Sequence, residues 1–414
     1  MRPKSVLRFV VILSAILLLI SGIGTNVVPT LAAPAAQEAP ALFGDGNPAN
    51  APTGYNARLA QTLAAVRSRY VTLDLALLSN PSEYMMGIAP KKLTFNLFSD
   101  VNLVVSPIAI NTIYGYNGHT WIGRIDGNPL SEVLITVMEG GWIHGYILND
   151  KQLFTLATAT PGLYSVTQLD STGFAGKDLQ PLIPSQTPST PSIQPVRTLT
   201  ELAEGDTGAT IDVFVVYSND ALSGAGNVQA MEAEINTGIA SANQAYSNTS
   251  ITQRVRLVGT YHVNYTSAGF STDLSRLAAT SDGFMDEVHT FREFKKADLV
   301  SMYINDTSSC GLAYLMTSVS STFASSAFSV VSRQCISNLS FQHEMGHNEG
   351  AQHDPASAGS QGAYSYSYGY INPSNLFRTV MAYPICGCPR VNWLSNPMSI
   401  TMAIQQERAI TTTA

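Results

Sequence analysis

The sequence predicts two folded units: a β-rich one, then a mixed α/β (α+β) domain built on a twisted sheet. Three observations carry that expectation. From about residue 61 to 176 the chain runs in short alternating segments broken by turn residues, the pattern of strands. From 178 to 206 prolines alternate with Ser, Thr and Gln, a composition that stays extended and exposed. From 207 to about 400 strand-like runs alternate with amphipathic helical ones.

The N-terminus reads as a secretory signal over 1–32. Arg2, Lys4 and Arg8 precede an apolar run from Val10 to Ile20, and Thr30-Leu31-Ala32 offers a small-residue cleavage site. The run is short for a membrane span, so no anchor is expected once it is cut, and the protein is expected to be secreted, extracellular or periplasmic. Residues 33–60 are rich in Ala, Pro, Gly and Asn and are expected to be disordered. In the β-rich unit, taken as 33–177, Leu93–Phe98 and Val133–Val137 alternate as strands. Trp121 and Trp142 stand beside glycines in hairpins, Asn149-Asp150 is a turn, and Gln152–Leu156 is a further strand. The linker spans 178–206. Arg197 is its only basic residue, and an exposed linker is where proteases cut.

Beyond the linker, Ile211–Tyr217 reads as a strand. Met231, Ile235, Ile239, Ala242 and Tyr246 share one helical face. Val255, Leu257, Tyr261, Val263 and Tyr265 alternate as strand, and Phe284, Val288 and Phe291 mark a second helix. Strands follow at Ala297–Ile304 and Ala327–Ser332, then a helix with Asn338 or Ser340 as its N-cap, and residues 401–414 form a tail.

That last helix carries His343-Glu344-x-x-His347-x-x-Gly350-x-x-His353. Histidines four apart share a helix face and can hold one zinc ion between them. Glu344 stands where it can take a proton from a water activated by that ion. The third histidine is ten residues after the first. A continuous helix would carry it ~15 Å away, against a Zn–N bond of about 2.1 Å. The helix must stop, and Gly350 lets it stop, because glycine takes the left-handed conformation that reverses the chain.

Charged residues make up only 12% of the chain and the net charge is −7, with no internal basic run, which argues against nucleic acid as a partner. All four cysteines, Cys310, Cys335, Cys386 and Cys388, lie in the last third. An even number in an exported chain favours disulfides. Cys310–Cys335 is the preferred pair. Cys386 and Cys388 then join across Gly387, or cross-pair with the other two. No EF-hand-type acidic loop occurs, and the sequence assigns no calcium site.

Over about 207–400 the chain resembles a metzincin, and within that clan the reprolysin-like (adamalysin-like) zinc endopeptidases. The resemblance rests on the histidine motif, on Asn348 and Asp354, and on Thr379-Val380-Met381-Ala382-Tyr383, which resembles the Met-turn. It implies one catalytic Zn2+ on His343, His347 and His353, with Glu344 as general base and later general acid. It implies Met381 as an apolar floor and a peptide or protein substrate. Tyr383 stands where related families place a tyrosine that contacts the metal or the reacting oxyanion. Gly311-Leu312-Ala313 resembles the edge strand along which an extended substrate pairs. The β-rich region looks like the pro-domain of secreted bacterial members. With no cysteine before Cys310, a cysteine switch is excluded, and latency would need a carboxylate, a backbone group or steric cover. Two departures stand out. Glu349 occupies a usually apolar helix position, where it would face solvent or weaken packing. After Ser395-Asn396-Pro397 the closing helix looks short or polar. A non-catalytic binding or adhesion protein on this fold, or a narrow self-processing factor or toxin, remains open from the residues alone.

Overall fold

The computed structural model describes residues 39–150, 152–174, 176–184, 210–374 and 376–395. The expected signal segment, most of the linker with Arg197, the polar stretch after Ser395 and the tail over 401–414 lie outside the described residues. Among the described residues, no helix is long and apolar enough to cross a membrane.

The first unit is a nine-stranded antiparallel sheet. Its strands, with two short helices between them, are β1 (Phe43–Asp45), α1 (Tyr55–Ala60), β2 (Ala65–Leu73), α2 (Pro81–Met85), β3 (Leu93–Phe98), β4 (Val101–Thr112), β5 (Gly118–Ile125), β6 (Glu132–Met138), β7 (Trp142–Asn149), β8 (Gln152–Thr160) and β9 (Leu163–Asp170). Residues 40–42 bond to Thr94 on β3 while β1 pairs with β2, so the two ends of the sheet meet and few edges stay open. Alternation divides the side chains. Phe95, Trp121, Ile135, Phe154 and Val166 fill the interior. Ile122, Leu134, Tyr146 and Leu169 point the other way, onto Cys310, Leu339, Val380 and Met381 of the second unit. β6 is therefore buried on both faces. The expectation of disorder over 33–60 does not hold for the described residues 39–60. Leu42, Phe43 and Tyr55 are buried there, and three apolar anchors in an Ala/Pro context suffice to order it.

The second unit holds a five-stranded sheet in the order β11-β10-β12-β14-β13. Its elements are β10 (Thr210–Tyr217), α3 (Asn219–Ala225), α4 (Val228–Asn248), β11 (Arg254–His262), α5 (Phe270–Ala278), α6 (Glu287–Lys295), β12 (Leu299–Ile304), β13 (Gly311–Ala313), β14 (Phe328–Ser332) and α7 (Ser340–Asn348). Four strands are parallel, and only β13 runs antiparallel, at the edge. Helices cover both faces, which is why β12 and β14 are buried along their whole length. Val213, Val215, Tyr303 and Val331 meet Met231, Ile235 and Phe341 on one face. Phe214, Val216, Val300 and Val330 meet Leu274, Leu277 and Val288 on the other. The short helices α3 and α5 were not expected from the periodicity. Phe284, assigned to a helix, lies outside α6 and is exposed.

A buried polar network joins the two units. Tyr146 on β7 donates to Glu132 (2.6 Å) and contacts Ser241 on α4 (2.7 Å), while Asn392 and Asn248 both donate to Glu132. Burial pushes the Glu132 carboxyl above its usual range despite these donors. Both disulfides form, Cys310–Cys335 and, across Gly387, Cys386–Cys388.

Glu349 neither faces open solvent nor disrupts packing. It is half-buried against α4 and accepts a hydrogen bond from Tyr246. Burial pushes its carboxyl up to about 7. In the unfolded chain the same group ionises near its ordinary value of 4.5. Protons are thus held more tightly by the folded state, and the contribution to stability is full below roughly pH 4.5 and lost as pH rises through about 7. A Glu349→Gln variant is expected to flatten this decline, read from urea unfolding at several pH values across that window.

Candidate metal centre

Helix α7 is entered through Leu339, which is left-handed at φ 67°. No side chain caps it. Neither expected N-cap serves: Asn338 closes the preceding 3-10 turn, and Ser340 is the first helical residue. The helix is instead held by its surroundings. Asn348 donates to the carbonyls of Tyr314 (2.8 Å) and Phe328 (3.1 Å), tying its last turn to the sheet.

The helix ends where the glycine requires. Gly350 takes φ 91°, and Ala351 then bonds back to the Gly346 carbonyl. The same turn presents the Ala351 carbonyl to His347 Nδ1 (2.8 Å), and His343 Nδ1 meets the Val380 carbonyl (2.9 Å). A carbonyl only accepts, so both Nδ1 atoms carry the proton and both Nε2 lone pairs turn inward. His353 brings its own Nε2 to 3.2 Å from each of the other two. Burial lowers the affinity of all three rings for protons, that of His343 to about 4. Three neutral imidazoles whose Nε2 atoms converge at this spacing suit a shared cation. Nitrogens on a tetrahedral zinc stand about 3.4 Å apart, so the donor set fits that ion.

Glu344 is fully buried beside them, and neither carboxylate oxygen has a protein partner. Burial, then the charge of Asp178, pushes its carboxyl well above the usual range. β13 passes directly over it: a Cβ on Gly311 would lie 2.4 Å from Glu344 Oε1, so the strand crosses there only as glycine. Met381 is buried beneath the helix, its Sδ 2.5 Å from where a Cβ on Gly346 would be. Asp354 accepts the backbone N–H of Tyr383 (3.0 Å), and the Tyr383 ring lies 4.1 Å from that of His353.

Residues 207–393 match the family Reprolysin_5, described as Metallo-peptidase family M12. Over this span the chain is similar to the reprolysin-like metallopeptidases. It is 36% identical over 271 residues to a Peptidyl-Asp metalloendopeptidase of Stenotrophomonas maltophilia, covering 64% of this chain and 63% of that protein. It is 33% identical over 281 residues to one from Xanthomonas campestris pv. campestris, covering 65% of this chain and 63% of that protein. The chain thus spans less than two thirds of the length of these relatives. Metalloproteinase-II from Bacteroides fragilis is a distant structural neighbour, at 9% identity and a TM-score of 0.44 over 78% of this chain and 95% of that one.

Sequence reasoning missed two residues of this site. The stretch from 178 was expected to be exposed linker, yet its described part, 178–184, is bound to the edge strand. Cys310 N–H donates to the Lys177 carbonyl (2.7 Å), Leu182 N–H to Ala313 (2.9 Å) and Leu315 N–H to Leu182 (2.8 Å), and the pairing is parallel. An edge strand offers unpaired N–H and C=O groups, and this segment satisfies them. It carries Asp178 into the site, where the buried Arg390 pairs with it at 2.6 Å. Burial works against the Asp178 charge, but Arg390 and His343 hold its carboxyl below the usual range. Tyr383 does not stand free over the histidines. Its hydroxyl donates to the Asp178 carbonyl at 2.9 Å. The available signals were slight: the last acid before the prolines, and two arginines, Arg378 and Arg390, close to Met381 in a chain poor in charge.

Gly350→Ala should fail on two counts. Left-handed backbone costs a residue with a Cβ about 1–2 kcal/mol, and that Cβ would lie 2.4 Å from Ala363 Cβ. Lower thermal stability and reduced bound metal are expected; a variant with wild-type values of both would refute the account.

Proposed function

We propose that the protein is an exported zinc endopeptidase, made with its own pro-domain, which cuts peptide bonds at aspartate as the names of its relatives say of them. The observation that carries this reading is three inward-facing neutral imidazoles beside a buried carboxylate, Glu344, that has no protein partner. Residues 1–32 would direct export, 33–177 form the pro-domain, and 207–400 the catalytic domain.

Bound to His343, His347 and His353, zinc supplies a Lewis acid for the scissile carbonyl and lowers the pKa of an attacking water. Glu344 accepts the water's proton at a carboxylate oxygen and passes it to the departing amide nitrogen. Gly311, Leu312 and Ala313 bind the substrate backbone as an added strand. Tyr383, once free of the Asp178 carbonyl, donates its hydroxyl to the developing oxyanion. Asp354 keeps Tyr383 in place through its backbone, and Met381 floors the site.

Latency follows from the segment around Asp178. It lies along the edge strand that substrate needs and engages Tyr383, so the precursor is blocked by backbone cover and by a carboxylate rather than by a thiol. A cut in the Pro-rich stretch, with Arg197 as the expected position, would let the pro-domain and its strap leave.

Glu344→Gln should retain zinc and lower kcat on a casein or peptide substrate by about 10²–10⁴; full activity with metal bound would refute the assignment. Tyr383→Phe should lower kcat by about 10² with little change in KM. Undiminished turnover would remove Tyr383 from the reaction.

A further inference from the structure

The pair Arg390–Asp178 is the most deeply buried salt bridge among the described residues, with both side chains 4% exposed. Arg390 lies beyond Met381 in the chain, and its Nη1 donates to the Asn338 carbonyl (2.9 Å), which fixes the guanidinium beside the start of α7. Its Nη2 is 3.5 Å from His343 Nδ1. Asp178 arrives from the opposite direction on an extended backbone paired with Gly311, while Tyr383 holds its carbonyl. A peptide lying on the edge strand therefore delivers a carboxylate to Arg390 within the space bounded by His343, Glu344 and Tyr383.

We propose that Arg390 reads an acidic side chain of the substrate next to the scissile bond, and that Asp178 is the chain's own occupant of that subsite in the precursor. The inference rests on the reading of the protein as an endopeptidase acting at aspartate, and it names the residue that makes the choice. Loss of the strap takes Asp178 away and leaves the Arg390 guanidinium without its counter-ion. A buried charge without a partner is strongly unfavourable. Arg390 Nε already lacks a protein acceptor, and so does Nε of the neighbouring Arg378. The nearby acid, Asp354, is committed to the Tyr383 N–H. A substrate carboxylate restores the pairing that Asp178 made. Its neutral isostere, asparagine, cannot, because its amide offers one acceptor oxygen where the carboxylate offers two and leaves the guanidinium charge uncompensated.

The test uses the matured wild-type protein and matched fluorogenic peptides that differ only in Asp, Asn or Ala beside the cleaved bond. Wild type is expected to prefer Asp over Asn by about 100-fold or more in kcat/KM. Arg390→Met should collapse that ratio by at least about 30-fold, and Arg390→Lys should keep part of it. Wild-type preference for Asp that persists in Arg390→Met overturns the role of Arg390 and leaves the proposed function standing. A wild type indifferent to Asp overturns the substrate reading itself. A second arm needs no variant enzyme. A synthetic peptide spanning residues 176–184 should inhibit wild type competitively, and the same peptide with Asp178→Asn should inhibit about tenfold more weakly or worse. Equal inhibition by the two peptides overturns the proposal even if Arg390→Met fails to fold.

Discussion

Three imidazole nitrogens, that of His353 lying 3.2 Å from each of the other two, set the terms for everything around them. Two come from successive turns of α7 and cost the fold nothing beyond a straight helix. The third can arrive only if the helix ends within one turn and the chain doubles back, which makes Gly350 the hinge of the site. The reversal then does a second job, because the carbonyl it exposes fixes the tautomer of His347. The Val380 carbonyl does the same for His343, so the run ending in Met381 is tied to the helix by hydrogen bonding as well as by packing. Gly346 and Gly311 complete the arrangement. Each is where another group, Met381 or Glu344, comes too close for a Cβ.

The second constraint is the edge of the sheet. β13 is the only antiparallel strand of its sheet and its outer side needs partners. In this chain the partner is its own segment 178–184, which continues from the first sheet. The two sheets are also locked together by Tyr146, Glu132, Ser241 and Asn392, polar groups buried but mutually satisfied. Each polar contact that immobilises Asp178 is a contact that a departing strap would free for substrate.

Buried charge is scarce in a chain with 12% charged residues, so its location is informative. Glu344, Asp178, Arg378 and Arg390 are all buried within one region. Two unlike pairs in a low-dielectric pocket influence one another strongly. The Asp178 charge raises the proton affinity of Glu344 while Arg390 lowers it. Under the proposed function, a substrate acid in the place of Asp178 would preserve that balance.

The sequence alone determined the histidine motif, the forced end of the helix and the alternation of strands and helices, and it favoured the Cys310–Cys335 pair. Each follows from local spacing: period 3.6 against period 2, a glycine at a fixed offset, two cysteines near one strand. Periodicity was weaker for short elements, so α3 and α5 went unseen and Phe284 was misassigned. It also failed where burial depends on distant partners, as for residues 39–60, whose few apolar side chains gain order only from the sheet that receives them. Only the tertiary structure decided that Glu349 would be sheltered by Tyr246, that α7 needs no N-cap, and that a proline-rich stretch begins as a bound strap. Above all it decided the meeting of Asp178 with Arg390, residues 212 apart in the chain. No local pattern encodes that pair, because a buried ion pair depends on two remote segments reaching one enclosed point.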